Sequence, residues 1–189
     1  MNRKNITFVL AGLLLAAFEL NLTIGHATID IANNIPAFVL FFLGLKNLAG
    51  RNKSFNRANR WSVIGIAASV IVQVVSFIDF GSSAAAVTLI CSGINTFLLI
   101  YTSYYFNDGL VLESTFQDKS AVTRSLNGIW SILGILIFVN YMVSTMNVAR
   151  PIKLVVTAIA YVYAVYYCYY VNSLSRQLYM EEIPTAHME

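Results

Sequence analysis

The sequence predicts an all-α protein: a bundle of transmembrane helices. Of its 189 residues, 58% are hydrophobic and only 11% are charged, whereas soluble domains carry roughly a quarter charged residues. The charges are also segregated, because Asp79 is the only acidic or basic side chain between Trp61 and Phe106. Such a chain cannot cover a water-exposed surface of ordinary size. We therefore exclude a soluble globular fold and expect one transmembrane domain over residues 1–189.

Hydrophobic length predicts six spans. A hydrocarbon core of roughly 30 Å needs about 20 helical residues, and suitable segments lie at residues 6–22, 28–49, 61–77, 84–106, 126–146 and 154–171. The second segment is long enough only if residues 28–34 join the strongly apolar residues 35–45. Pro36 then lies in its first turn or at a kink. The first segment is interpreted as a retained span, since no signal-peptide cleavage site followed by polar sequence is present.

The basic residues orient these spans. If the N-terminus is cytoplasmic, all lysines and arginines except Arg150 and Lys153 fall on the cytoplasmic side. This bias follows the positive-inside rule. It predicts cytoplasmic termini, a polar cytoplasmic tail at residues 172–189, and a location in the cell (plasma) membrane. The long connection at residues 107–124 is either a short helix at the membrane interface or an ordinary polar loop.

Polar and small side chains recur on one face of several spans. They form four stripes: Gly12, Ala16, Glu19 and Thr23; Ser62, Gly65, Ser69, Gln73 and Ser76; Thr88, Ser92, Asn95 and Thr102; and Asn127, Ser131, Gly134 and Tyr141. We expect these stripes to face the bundle interior, as a polar pathway or as helix-packing contacts. Gln73 and Asn95 are the intramembrane candidates, because each lies deep within its span and needs a polar partner there.

A second group of polar residues is predicted at the outer end of the bundle. It comprises Glu19, His26, Asp30, Asn33, Asn34 and Asp79. An unpaired acid buried in a membrane costs several kcal/mol or becomes neutral. One hypothesis is therefore an outward-facing vestibule for a cation, a proton or the polar head of a solute. In the alternative, Glu19 pairs with Arg150 or Lys153 and the other residues are solvated.

Several chemistries are excluded by what the sequence lacks. It has no nucleophile-elbow, zinc-protease or phosphate-loop motif, and its only histidines are His26 and His187. Its two cysteines, Cys91 and Cys168, lie in separate apolar segments. We expect no catalytic site, no metal, no cofactor and no nucleic-acid partner. The tyrosines of the last span are typical of an aromatic belt at the membrane surface.

One segment resembles a known group of proteins. Residues 30–39 (DIANNIPAFV), residues 44–48 (GLKNL), Phe55 and Ala58 resemble a pattern in small uncharacterised multi-pass membrane proteins of Gram-positive bacteria. Asn33, Ala37 and Leu40 depart from that pattern. The resemblance covers residues 30–58 and implies a bacterial membrane protein, without an activity to carry over.

These observations predict a small transporter or permeation module, with the lipid bilayer and a small solute or cation as partners. The alternative is an accessory, immunity or sensor protein that binds another membrane protein or a second copy of itself. A transporter needs a polar cavity around Glu19, Gln73 and Asn95, whereas an accessory protein would pack these residues against one another.

Overall fold

The computed structural model describes residues 4–17, 21–24, 27–30, 34–116, 120–146 and 148–179. In this part of the chain there are six α-helices, one β-hairpin and a turn of 3-10 helix at Gly81–Ser83. The elements are α1 (Lys4–Ala17), β1 (Asn21–Ile24), β2 (Ala27–Asp30), α2 (Asn34–Lys46), α3 (Lys53–Val75), α4 (Ala84–Phe116), α5 (Ser120–Thr145) and α6 (Arg150–Tyr179). The predicted helical bundle is confirmed.

Four helices are long and apolar enough to cross a membrane: α3, α4, α5 and α6. Their outer faces carry large apolar side chains that are more than half exposed, among them Ile71, Ile135, Leu154 and Val162. In a protein of this composition such faces contact lipid. The helices α1 and α2 are apolar but have only 14 and 13 residues, about 20 Å at helical rise. The number of crossings therefore stays a prediction.

The first two spans differ from their predicted limits. The helix α1 ends at Ala17, not near residue 22, and α2 begins at Asn34, not at residue 28. Between them, β1 and β2 pair antiparallel, with Asn21 opposite Asp30 and Ile24 opposite Ala27. Both strands contain β-branched threonine and isoleucine residues, which favour extended backbone. Apolar length alone does not distinguish such a segment from a helix end.

Two other helices are longer than predicted. The helix α4 continues without a break to Phe116, so residues 107–116 are neither a separate interfacial helix nor a loop. Its added turns are held by the α2–α3 connection: Asn52 Nδ2 donates to the carbonyl of Gly109 at 3.1 Å, and Arg51 pairs with Glu113 at 3.0 Å. The helix α6 passes the predicted limit at residue 171 and ends at Tyr179.

The six helices form a closed ring in which each packs against its neighbours in sequence and α6 packs against α1. Successive helices run antiparallel. For example, Ser69 of α3 bonds to Asn95 of α4, while Phe55, near the start of α3, lies beside Gly109, near the end of α4. The ring therefore has two ends. We call the one with the first residues of α1, α3 and α5 the closed end, and the opposite one the open end.

The helices α1 and α2 approach most closely at two glycines. A Cβ atom on Gly12 would lie 2.7 Å from the carbonyl oxygen of Ala37, and one on Gly44 would overlap Asn5 and Val9. Small residues let membrane helices pack backbone against backbone in this way. The close packing of α1 against α2 therefore requires glycine at both positions.

The packed core fills the closed half of the ring. Its largest fully buried side chains include Tyr167, Phe38, Phe41, Phe55 and Phe106. In α4, every buried residue lies at Asn95 or beyond it towards Phe116. The first three turns of α4 are consequently not packed into a core, which leaves space at the open end.

The basic residues separate by end as the positive-inside rule predicts. Among the described residues, Arg150 and Lys153 lie at the open end, and the closed end carries Lys4, Lys46, Arg51, Lys53, Arg57, Arg60, Arg124 and Arg176. This distribution favours a cytoplasmic closed end.

Cysteine labelling tests that orientation. Asn56→Cys lies on an exposed site at the closed end and Ser83→Cys on one at the open end; both would be made in a chain lacking Cys91 and Cys168. A membrane-impermeant maleimide added to intact cells should label Ser83→Cys alone, because the bilayer shields the other site. Asn56→Cys should react only after permeabilisation, and its reaction in intact cells would contradict the orientation.

Candidate functional site: a polar cavity at the open end of the bundle

A cavity of about 790 Å³ opens at this end, and all six helices contribute to its wall. Its mouth is bordered by helix ends, including Ala17, Asn34, Ser76, Ala85 and Ser144. Along α4 it extends from Ala85 to Leu99, about 21 Å at helical rise. That depth is about two thirds of a hydrocarbon core. The volume lies in the range of about 300–1,000 Å³ typical of small-molecule sites.

The wall combines apolar and uncharged polar side chains. Its polar members are Asn34, Ser69, Gln73, Ser76, Thr88, Ser92, Asn95, Thr96, Asn140, Tyr141, Ser144, Thr145 and Tyr161, together with the thiol of Cys91. Among the described residues that line the cavity, none is acidic or basic. An ion entering this part of the wall would lose water without gaining a counter-charge. The described wall therefore favours an uncharged occupant.

Besides Asn34 at the mouth, three carboxamides from three successive helices line this cavity, and each uses one end in a bond to a hydroxyl group. Gln73 Nε2 donates to Ser76 at 3.0 Å. Asn95 Oδ1 accepts from Ser69 at 3.4 Å, and Asn140 Oδ1 accepts from Thr157 at 2.8 Å.

The other end of each carboxamide is open. Within the described chain no hydrogen bond is formed by Gln73 Oε1 or by the amide nitrogens of Asn95 and Asn140. Asn95 is only 7% exposed, so its unpaired nitrogen cannot reach bulk solvent freely. Gln73 and Asn140 are partly exposed, and all three side chains line the cavity. Because polar groups inside a bundle normally have a protein or water partner, these three side chains are the strongest candidates for contact with a solute.

The hydroxyl groups of α4 bond to their own helix. Thr88, Ser92 and Thr96 donate to the carbonyls of Ala84, Thr88 and Ser92 at 2.9, 2.9 and 2.8 Å. Because each proton is used within the helix, these oxygens can only accept from a solute.

Below the cavity, towards the closed end, α4 carries buried polar groups. Two turns below Asn95, the hydroxyl of Thr102 is fully buried and has no partner in the described chain. Farther towards the closed end, Tyr167 donates to Asn107 Oδ1 at 3.1 Å, and Asn107 Nδ2 donates to Asn127 at 3.1 Å. This chain of bonds joins α6, α4 and α5, and it closes the bundle below the cavity.

The predicted site residues fall into separate groups. Asn34, Gln73 and Asn95 lie in the cavity wall. Asp79 is exposed, lies outside that wall and accepts a bond from the backbone of Gly81 at 2.9 Å.

The side chains of the remaining predicted vestibule residues lie outside the described part of the structure. Glu19, His26 and Asn33 lie outside the described residues, and Asp30 is described only as backbone in β2. The vestibule hypothesis and the alternative pairing of Glu19 with Arg150 or Lys153 therefore both stay predictions.

One predicted face points inward only in part. On α5, Gly134 is buried and Tyr141 lines the cavity, and Asn127, although exposed, accepts a bond from the buried Asn107. Ser131 is exposed, although it was expected to face the interior. The carboxamide of this helix that reaches the cavity is Asn140, which the predicted stripe omitted. Its position deep in an apolar span is the signal that could have identified it.

Neither a metal-binding group in the described part of the chain nor a known relative identifies this site. The described residues contain no group of three or more His, Cys, Asp or Glu side chains that could hold a metal ion. No family model, curated protein or solved structure matches the chain. The cavity itself is therefore the feature from which a function can be inferred.

Proposed function

We propose that this membrane protein is a small transporter or permeation module of the cell membrane, with a cavity that receives a small solute from the outer side. The observation that carries the proposal is the deep polar cavity at the end poor in lysine and arginine. The proposal includes no catalytic step. Assembly with a second copy or with another membrane protein stays a prediction.

The state of Gln73 and Asn95 favours transport over an accessory role. In a protein that only binds a membrane partner, these side chains would be packed against each other to satisfy their polar groups. Instead, both face a common space and keep one unpaired end. Polar groups held open inside a membrane domain are costly unless they are used.

The asymmetry of the bundle supports the same proposal. One half of the ring is packed around Phe55, Phe106 and Tyr167, and the other half contains the cavity. A transporter that alternates access between the two sides of a membrane needs one state that is open outside and closed inside. A bundle packed at one end and open at the other supports such a state.

The test uses a thiol that the protein already contains. Cys91 is a partly exposed, free cysteine in the cavity wall, whereas Cys168 is buried and free. In a Cys168→Ala chain, a charged, membrane-impermeant methanethiosulfonate added outside should modify Cys91. In proteoliposomes, the chain should accelerate osmotic swelling in urea, acetamide or glycerol relative to protein-free vesicles. Modification of Cys91 should then slow swelling, because the adduct occupies the cavity.

The control is the Cys91→Ala, Cys168→Ala chain, which should swell at the same rate with and without the reagent. A Cys91 that does not react from outside would overturn the proposed cavity. Swelling no faster than in empty vesicles for all three solutes would overturn the proposed permeation.

A further inference from the structure

Three of the carboxamides in the described cavity wall, Gln73, Asn95 and Asn140, lie at two neighbouring levels. The bond between Ser69 and Asn95 fixes the lower level. Because α3 and α4 are antiparallel, Gln73 and Cys91 lie one helical turn nearer the mouth, about 6 Å at helical rise.

Asn140 lies close to that upper level on the far side of α4. Its neighbour Tyr141 reaches the carbonyl of Leu89 at 3.2 Å, which places this part of α5 beside the turns of α4 around Cys91. A single compact solute can thus lie between α3 and α5, above Asn95.

The open ends of these side chains are complementary to an amide. Asn95 and Asn140 offer N–H donors, and Gln73 offers a carbonyl acceptor. Ser76 Oγ donates its proton to the backbone carbonyl of Gln73 at 2.7 Å, so it can only accept from Gln73 Nε2, and Gln73 Oε1 stays the open end. Because a carboxamide has one donor end and one acceptor end, reversing Asn95 or Asn140 then still leaves a mixed set. A ligand with both kinds of group satisfies this set, whereas one with a single kind leaves a buried group unpaired.

The lack of charged side chains in the described wall further restricts the class of solute. No acidic or basic side chain is present in the described wall, so a carboxylate or an ammonium group would be desolvated there without a counter-ion. The geometry points to an uncharged solute with adjacent hydrogen-bond donor and acceptor groups, a primary amide or a lactam, held by Gln73, Asn95 and Asn140. This inference rests on the proposed function, because it names the class of solute that the cavity receives.

The experiment measures protection of Cys91 from alkylation in the purified full-length Cys168→Ala chain. Four probes share one ring and differ in polar group: benzamide, benzoate, benzylammonium and acetophenone, which accepts but does not donate. Rates of reaction with N-ethylmaleimide are measured at increasing probe concentration. We expect benzamide to slow the reaction at the lowest concentration and the other three to require about tenfold more, since each lacks a bond or adds an unpaired charge.

Substitutions in the cavity wall test which side chains bind the probe. Asn140→Leu and Gln73→Leu should each raise the benzamide concentration for half-protection by about five- to tenfold, because one bond is lost in each. The matched control is Ser131→Ala on the exposed side of α5. In this variant benzamide should protect Cys91 at the same concentration as in the parent chain. Asn95→Leu serves as a third variant if it melts like the parent. The comparison among the four probes requires no substitution in the site.

Two results would overturn the inference. One is equal or better protection by benzoate, benzylammonium or acetophenone, and the other is the absence of protection by benzamide in a chain whose Cys91 reacts. Both leave the proposed cavity intact. Failure of the reagent to reach Cys91 from outside instead removes the proposed function itself, so the two failures are distinguishable.

Discussion

Replacing Gly44 with leucine should destabilise the bundle more than any other single change considered for this protein. Even a Cβ atom at Gly44 would overlap the carbonyl of Asn5 and the side chain of Val9. The backbone of α1 cannot yield locally, so the two helices have to separate along their contact. Overpacking of this kind costs about 1–3 kcal/mol and sometimes more; we expect the upper part of that range. The measurement is the midpoint of thermal unfolding in detergent, followed by circular dichroism.

The control for this substitution is Gly128→Ala. Gly128 lies within α5 and a Cβ atom there would meet nothing within 4 Å. Since alanine is a better helix former than glycine, this change should leave stability unchanged or raise it by about 0.5–1 kcal/mol. If Gly44→Leu melts at the same temperature as Gly128→Ala, the close approach of α1 and α2 is incorrect.

Breaking the buried bond between Tyr167 and Asn107 should have the next largest effect. Tyr167 is fully buried, Asn107 is 1% exposed, and the bond between them is 3.1 Å long. Tyr167→Phe removes the donor and Asn107→Leu removes the acceptor, so each leaves a buried polar group with one bond fewer. Each should lower the free energy of unfolding by about 1–3 kcal/mol.

The double variant separates this bond from general packing effects. In the chain with both substitutions the donor and the acceptor of this bond are both absent, so the combined loss should be smaller than the sum of the two single losses. Asn107→Leu also removes the bond to Asn127, but that loss is the same with or without Tyr167→Phe and cancels in the cycle. Chemical unfolding of the four chains in mixed micelles provides the cycle. If the two losses in free energy of unfolding are additive, the bond between Tyr167 and Asn107 does not contribute to stability.

Much of the fold could be predicted because hydrophobic length is a local property. The four long helices follow directly from runs that a hydrocarbon core requires. The hairpin formed by β1 and β2 could not, since its threonines and isoleucines also suit the end of a span. The last turns of α4 depend on Arg51, Asn52 and Glu113, which are distant in sequence, and no local pattern contains that contact.

The site was predictable only in part, for a related reason. Gln73 and Asn95 were identified because a carboxamide deep in a span needs a partner. Asn140 was missed because the inward face of α5 depends on how α4 and α6 pack against it. The tyrosines of the last span were expected to form an aromatic belt and to pack, but their spacing did not indicate that Tyr167 is buried and bonded to Asn107. Spacing defines a face of a helix, and only tertiary packing decides where that face points.

The length of α4 has a mechanical consequence. With 33 residues it is a rod of about 50 Å, longer than the roughly 30 Å of a hydrocarbon core. Arg51 and Asn52, just before α3, bond to its far turns, so we expect α3 and α4 to move together. A rearrangement of the helices would then part the ring elsewhere, and the junction of α6 with α1, the least extensive contact between neighbouring helices, is the expected place.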